Sequence, residues 1–305
     1  MDGHVSLLIG NFDGVHLGHR ALVTAARAAV GASGHVKAMA LDPHPASVLR
    51  PDSEPPRIST RRQRETWLLE AGCDEVLFVE PTAEFLARTP EAFIDDLVSE
   101  HHPDWIVEGT DFRFGRDRVG DLDLLRALGG DRGFEVIEVP EVHVACGEEQ
   151  IAVHSRVIRE RLIAGECGVA ACLLGRAYTL HGTVVTGDRR GRELGMPTAN
   201  LDHGTMLLPA DGIYAGTARD PGGCIRRAAI SVGTKPTFKE TPRVCEVHLV
   251  DHVGPVDDYG WTMTVCFEHW LRGQVAFDGV EPLVEQLRLD LEETRRRVDL
   301  QPEGE

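Results

Sequence analysis

Gly10-Asn11-Phe12-Asp13-Gly14-Val15-His16-Leu17-Gly18-His19 decides how the first half of this chain folds. It stands between an apolar run, Val5 to Ile9, of the length of one buried strand, and a helical pattern. In that pattern Leu22, Ala25, Ala26 and Ala29 recur at helical spacing before Gly31 and Gly34 close the segment. A strand that turns through glycines into a helix leaves free N–H groups at the helix start, where parallel α/β sheets bind phosphates. Glycines at 10, 14 and 18 let the backbone approach a ligand closely. His16 and His19, three apart, are placed to donate hydrogen bonds to phosphoryl oxygens that gain charge during displacement. A satisfied histidine pair at a helix start and half of a zinc site are the other readings, but no further zinc ligands follow at recognisable spacing.

Outward from this block, His35–Leu41, Glu75–Val79, Trp105–Val107 and Glu135–Val139 read as further strands with helical stretches between most of them. That alternation predicts a Rossmann-like parallel sheet wrapped by helices. After about Gly165 the texture changes. Gly182–Val185, Gly212–Thr217, Ala228–Val232, Val244–Val250 and Thr262–Phe267 read as strands with no helices between them, which predicts a small antiparallel barrel or sandwich. From Asp278 onward Val280, Leu283, Val284, Leu287 and Leu291 form one apolar stripe, with Asp278 expected as N-cap and Glu281 as its capping partner. Two domains are therefore expected, residues 1–167 and 175–305.

The 305 residues suit two cores rather than one. With 49 acidic against 32 basic residues the formal charge is −17, which disfavours nucleic acid as a partner. Met1 to Ile9 has no basic leader and too short an apolar run for a signal peptide or membrane span, so a cytoplasmic protein is expected. Seven scattered cysteines without a C-x-x-C pair read as reduced packing residues. No G-x-x-x-x-G-K-[ST] segment occurs, so a kinase here would grip phosphate by other means.

The block from Gly10 to His19 closely resembles the nucleotidyltransferase superfamily, in particular the N-terminal domain of prokaryotic bifunctional riboflavin kinase/FAD synthetases. Asp42-Pro43-His44-Pro45, Gly109-Thr110-Asp111-Phe112-Arg113-Phe114-Gly115 and Ser155 to Arg159 follow in that family's order. The resemblance implies adenylylation of FMN. Gly10, Asn11, Phe12, Asp13, Gly14, Ser155 and Arg159 would lie on ATP, Asp111 and Phe112 near the flavin, and His16 and His19 on the phosphates. The last block departs from the family's S-S-T-x-I-R: His154 and Arg156 stand where serine and threonine are usual, and Leu41 stands where the family has an aromatic. A kinase carrying a degenerate adenylyltransferase domain is the alternative reading.

His181 to Asn200 gathers four glycines and three arginines around a turn, and Gly191-Arg192-Glu193-Leu194-Gly195-Met196-Pro197-Thr198-Ala199-Asn200 closely resembles the riboflavin kinase signature. Thr and Asn supply hard oxygens of the kind magnesium takes with ATP phosphates, so Thr198 and Asn200 are the candidate metal ligands. The resemblance places Gly187, Gly191, Arg192, Gly195, Pro197, Thr198 and Asn200 on ATP. It runs on through Leu208 to Tyr214, Ser231 to Phe238 and Cys245 to Leu249. In an alternating strand Glu246 and His248 share one face and Val247 and Leu249 the other. The resemblance makes Glu246 the base for the accepting hydroxyl and Arg272 a candidate flavin contact. A monomer or weak homo-oligomer acting on riboflavin, FMN and ATP is expected.

Overall fold

The computed structural model describes residues 3–187, 191, 195–234, 243–252 and 259–300. The chain forms two compact units, Met1–Pro55 with Thr60–Ser155, and Pro56–Ser59 with Arg156–Glu305.

In the first unit the strands β1 (Val5–Gly10), β2 (His35–Leu41), β3 (Glu75–Val79), β4 (Trp105–Gly109) and β5 (Glu135–Val139) form one parallel sheet in the order β3-β2-β1-β4-β5. The helices are α1 (Leu17–Val30), α2 (Ala46–Leu49), α3 (Arg61–Ala71), α4 (Ala83–Leu86), α5 (Pro90–His101) and α6 (Leu122–Arg132). Adjacent residues of β1 serve opposite faces. Leu8 packs with Val23, Ala26 and Val30 of α1 and Leu68 of α3, while Leu7 and Ile9 pack with Phe93, Ile94 and Leu97 of α5 and Leu122, Leu125 and Leu128 of α6. A strand buried on both faces has to be apolar throughout, which is why Val5 to Ile9 shows little alternation. Because β2 lies on one side of β1 and β4 on the other, the carboxyl ends of β1 and β4 flank a topological switch point, the place where such sheets leave a ligand crevice. A hairpin of β6 (His143–Cys146) and β7 (Glu149–Ala152), which the sequence reading did not anticipate, follows before α7 (Ser155–Ile163).

The second unit is a closed antiparallel barrel rather than a sandwich. Its strands are β8 (Tyr178–Val185), β9 (Ala199–Asp202), β10 (Gly212–Arg219), β11 (Ile225–Thr234), β12 (Arg243–Leu249) and β13 (Thr262–Arg272), joined in the order β10-β11-β12-β9-β8-β13. Tyr178, Leu180, Ile230, Cys245, Val247, Val265 and Phe267 fill its core. Helix α8 (Cys167–Leu174) precedes the barrel and α9 (Val280–Arg297) ends the fold. The α9 stripe is half-buried at Leu283, Val284, Leu287 and Leu291, but Val280 is exposed. The expected Asp278/Glu281 capping box does not form. Gly279, at φ 122°, takes the N-cap position without a side-chain hydrogen bond, one residue later than the polar signal indicated. What anchors α9 is instead Asp290, 5% exposed, which accepts from Nε (2.9 Å) and Nη2 (2.6 Å) of Arg272 on β13.

Candidate functional site

The Gly10–His19 turn is built with its strain on side-chain-bearing residues. Phe12 (φ 49°) and Val15 (φ 36°) both hold left-handed backbone, as does Gly14 (φ 83°), and Phe12 and Val15 are each 1% exposed. Such conformations are costly for non-glycine residues and persist where packing overdetermines them. The Phe12 ring lies against Gly10, where an added Cβ would come within 3.3 Å of it. His16 is the N-cap of α1, its Nδ1 accepting from the His19 N–H at 3.3 Å, and the two rings stack with centroids 3.6 Å apart. Ser155 reaches the same turn, its hydroxyl donating to the Asp13 carbonyl at 2.8 Å. The structure therefore brings together Gly10, Asn11, Phe12, Asp13, Gly14, His16, His19 and Ser155.

Arg159 donates from Nε to the Pro56 carbonyl at 2.8 Å. Arg156 is 83% exposed and lies 3.6 Å from Glu160 one turn on. His154 Nε2 is 2.7 Å from a carboxyl oxygen of Glu141. Asp111 is exposed beyond β4, and Phe112 stacks on Phe114 at 5.5 Å.

Two residues of this site escaped the sequence reading. Arg64 of α3, 3% exposed, donates to the carbonyls of Asn11 (2.9 Å) and Leu41 (3.1 Å) and pairs with the Asp42 carboxylate, so one guanidinium ties the first motif to the Asp42 block. Glu108 on β4, 3% exposed, accepts from the Ile9 N–H at 2.7 Å, and burial holds its carboxyl well above the usual carboxylate range. Neither belongs to a recognisable motif. A charged residue at an apolar strand position was the one available signal, and it applies only to Glu108.

In the barrel, Asn200 of β9 is the register partner of Glu246 on β12, which is in turn the partner of Ser231 on β11. Directly paired residues of antiparallel strands project to the same face, so the three side chains share one side of the barrel wall, while Cys245 and Val247 point into its core. Asn200 is buried, with its amide tight against Gly187. Two hydrogen bonds tie the described residues between β8 and β9. Met196 N–H donates to Gly191 O at 2.7 Å, and His248, the β12 residue on the Glu246 face, donates from Nδ1 to Pro197 O at 2.8 Å. Thr198 is exposed and Gly195 takes φ 73°. Arg192 and the segment Lys235 to Phe238 lie outside the described residues.

Among the described residues no group of three His, Cys, Asp or Glu side chains is arranged to hold a metal ion. The Thr198 hydroxyl and Asn200 amide oxygen are hard oxygen donors, and Asn200 is the register partner of Glu246. That set fits a magnesium ion completed by substrate phosphates rather than a metal held by protein alone. The cysteines are free, and burial pushes the thiols of Cys73 and Cys167 up to about 12, which keeps them from acting as nucleophiles.

One unit carries a glycine-rich strand-to-helix turn at a sheet switch point, the other an Asn–Glu pair on a barrel wall, an arrangement of the two-domain transferase class. Residues 2–154 match the FAD synthetase family and residues 174–298 the riboflavin kinase family. The chain is 33% identical over 287 residues to the bifunctional riboflavin kinase/FMN adenylyltransferase of Escherichia coli K12, covering 93% of this chain and 90% of that one. It is 32% identical over 298 residues to the Bacillus subtilis protein of the same name, covering 95% and 91%. A solved structure from Streptococcus pneumoniae, described as a macrolide-efflux protein, superposes with a TM-score of 0.85 at 31% identity, over 97% of this chain and 95% of that chain. The chain belongs to the bifunctional riboflavin kinase/FMN adenylyltransferase family. It is a transferase of flavin-cofactor biosynthesis with both catalytic domains present.

Proposed function

We propose that Glu246 is the base of the kinase half, residues 175–305, and that His16 and His19 serve the phosphates in the adenylyltransferase half, residues 1–167. The observation that carries the kinase assignment is the Glu246–Asn200 register pair, which sets a carboxylate beside the candidate metal ligand on one face. Glu246 takes the proton of the ribityl 5′-hydroxyl as that oxygen bonds to the γ-phosphorus of ATP. The bond from γ-phosphorus to the bridging oxygen breaks, and ADP leaves. Gly187, Gly191, Arg192, Gly195 and Pro197 shape the loop that receives the triphosphate. Thr198 and Asn200 would hold magnesium, which when bound neutralises charge on the phosphoryl oxygens.

In the first half the FMN phosphate attacks the α-phosphorus of ATP and pyrophosphate departs, with His16 and His19 donating to the oxygens that gain charge. Gly10, Asn11, Phe12, Asp13, Gly14, Ser155 and Arg159 are assigned to ATP, and Asp111, Phe112 and Arg272 to flavin. The kinase-only alternative rested on His154, on Leu41 and above all on Arg156. Its side chain lies in solvent against Glu160, an arrangement that favours the bifunctional reading. No described helix is long and apolar enough to cross a membrane. A cytoplasmic monomer or weak homo-oligomer, needing magnesium and binding no nucleic acid, completes the reading.

The test is chromatography of the flavins formed from riboflavin, ATP and magnesium. FMN followed by flavin adenine dinucleotide is expected. FMN accumulating without dinucleotide over many kinase turnovers would reduce the protein to a kinase with a relic domain.

A further inference from the structure

Strands β1 and β4 are paired only at Ser6–Trp105 and Leu7–Ile106, although β1 continues along β2 to Gly10 and β4 continues along β5 to Gly109. Beyond Leu7 and Ile106 the two central strands part, opening the switch-point crevice at the start of the phosphate-binding turn. Parting leaves the Ile9 N–H, inside the sheet, without a ladder acceptor, and a buried N–H with no partner is expensive. Oε1 of Glu108 accepts it at 2.7 Å. Glu108 follows Ile106 on the face that Leu7 and Ile9 occupy, so an apolar row ends in a buried acid next to the motif that grips ATP.

We propose that Glu108 is a positioning residue of the adenylyl-transfer site, its carboxyl group replacing the missing β1–β4 ladder bond and so fixing where the Gly10-Asn11-Phe12 turn begins. This rests on the assignment of that turn to ATP. A carboxyl group suits the position because, as a neutral acid, it accepts the Ile9 hydrogen bond without setting a negative charge beside a polyphosphate. The charged groups around it point the same way. Asp111 follows on the loop after β4, Glu138 is its register partner on β5 and is paired with Arg126 of α6, and β1 contributes only apolar residues there. Burial outweighs the lowering effect of the Ile9 bond and, with a smaller push from the Asp111 charge, holds Glu108 protonated well above the usual carboxylate range.

The dependence on pH follows from the direction of that shift. Below the usual carboxylate range Glu108 is neutral whether the chain is folded or not. Above it the unfolded chain ionises first, so the first unit loses stability as pH rises until the folded group ionises as well. Ionised Glu108 would then also repel ATP, and the KM for ATP in dinucleotide synthesis should climb on the alkaline side.

The test uses the full-length protein and the variants E108Q and E108L, with kinase turnover as the internal control. E108Q keeps an acceptor for Ile9 and cannot ionise, so its KM should match the wild type at neutral pH and lose the alkaline climb. E108L should raise the KM for ATP about ten-fold, as expected for one lost buried hydrogen bond, with FMN formation unchanged. Exchange of the Ile9 amide hydrogen reads the same bond without turnover and should speed up in E108L but not in E108Q. An alkaline climb in E108Q equal to that of the wild type, or equal Ile9 protection in all three proteins, would overturn the proposal. A wild type that makes FMN but no dinucleotide would defeat the adenylylation reading, and Ile9 exchange would still decide the role of Glu108.

Discussion

Replacing Gly187 by alanine tests the proposed kinase site at a tight contact. A Cβ there would lie 2.0 Å from Nδ2, 2.5 Å from Cγ and 2.8 Å from Oδ1 of Asn200, distances that no adjustment of a few tenths of an ångström relieves. The backbone at Asn200 cannot retreat, because β9 is paired there with Val185 of β8 on one side and Glu246 of β12 on the other. The Asn200 side chain must rotate away, taking its oxygen with it. Losing one oxygen contact to a charged group costs about 1.5–3 kcal/mol, which corresponds to a fall in kcat/KM for riboflavin phosphorylation of roughly 10- to 150-fold. FMN formation should be assayed across a magnesium titration, where G187A should need more of the ion. Conversion of supplied FMN to dinucleotide, measured in the same protein, should stay unchanged. Gly195→Ala is the comparison. Gly195 has φ 73° but nothing within 4 Å of an added Cβ, so only backbone strain of about 1 kcal/mol is expected. Wild-type turnover and magnesium dependence in G187A, or an equal loss in both variants, would refute the view that Gly187 is needed to seat Asn200.

Glu246→Gln should lower the kinase kcat about 10²- to 10⁴-fold while ATP affinity stays close to that of the wild type, as for removal of a general base; undiminished turnover would take Glu246 out of that role. Arg156→Thr should change dinucleotide synthesis by less than about two-fold, since an exposed i,i+4 pair contributes only a few tenths of a kcal/mol; a gain of ten-fold or more would show that Arg156 obstructs the nucleotide. Asp290→Ala leaves the Arg272 guanidinium without its buried partner and should destabilise the second unit by about 3 kcal/mol. Calorimetry should then show a fall in Tm of roughly 10 °C, and an unchanged melting point would mean that α9 is held by its apolar stripe alone.

Much of this protein is legible in its sequence because the legible parts are local. A glycine-rich strand-to-helix turn, strands of apolar residues alternating with helical patterns, and a Pro-Thr-Ala-Asn block after a glycine-rich loop are each specified by neighbours a few residues apart. So the five parallel strands, the strand-to-helix turn and the Glu246/His248 face could all be read directly. The α9 cap shows the limit of such patterns. Asp278 and Glu281 have the spacing of a capping box, yet the helix begins after Gly279, because the buried Asp290–Arg272 pair and the half-buried stripe set where α9 lies on the barrel.

The tertiary structure decided what depends on distant residues meeting. Barrel closure runs through β9, a four-residue strand that begins in the last two residues of the kinase signature, and only its pairing with β8 and β12 puts Asn200 beside Glu246. Arg64 joins Asn11 to Asp42 from a helix with no motif of its own, and Glu108 meets Ile9 from 99 residues away. Hydrogen bonds that close long loops leave no periodicity in a sequence, since either partner alone reads as an ordinary polar residue. Their necessity appears only once folding has removed water from around them and left a buried N–H or carboxyl group in need of a partner.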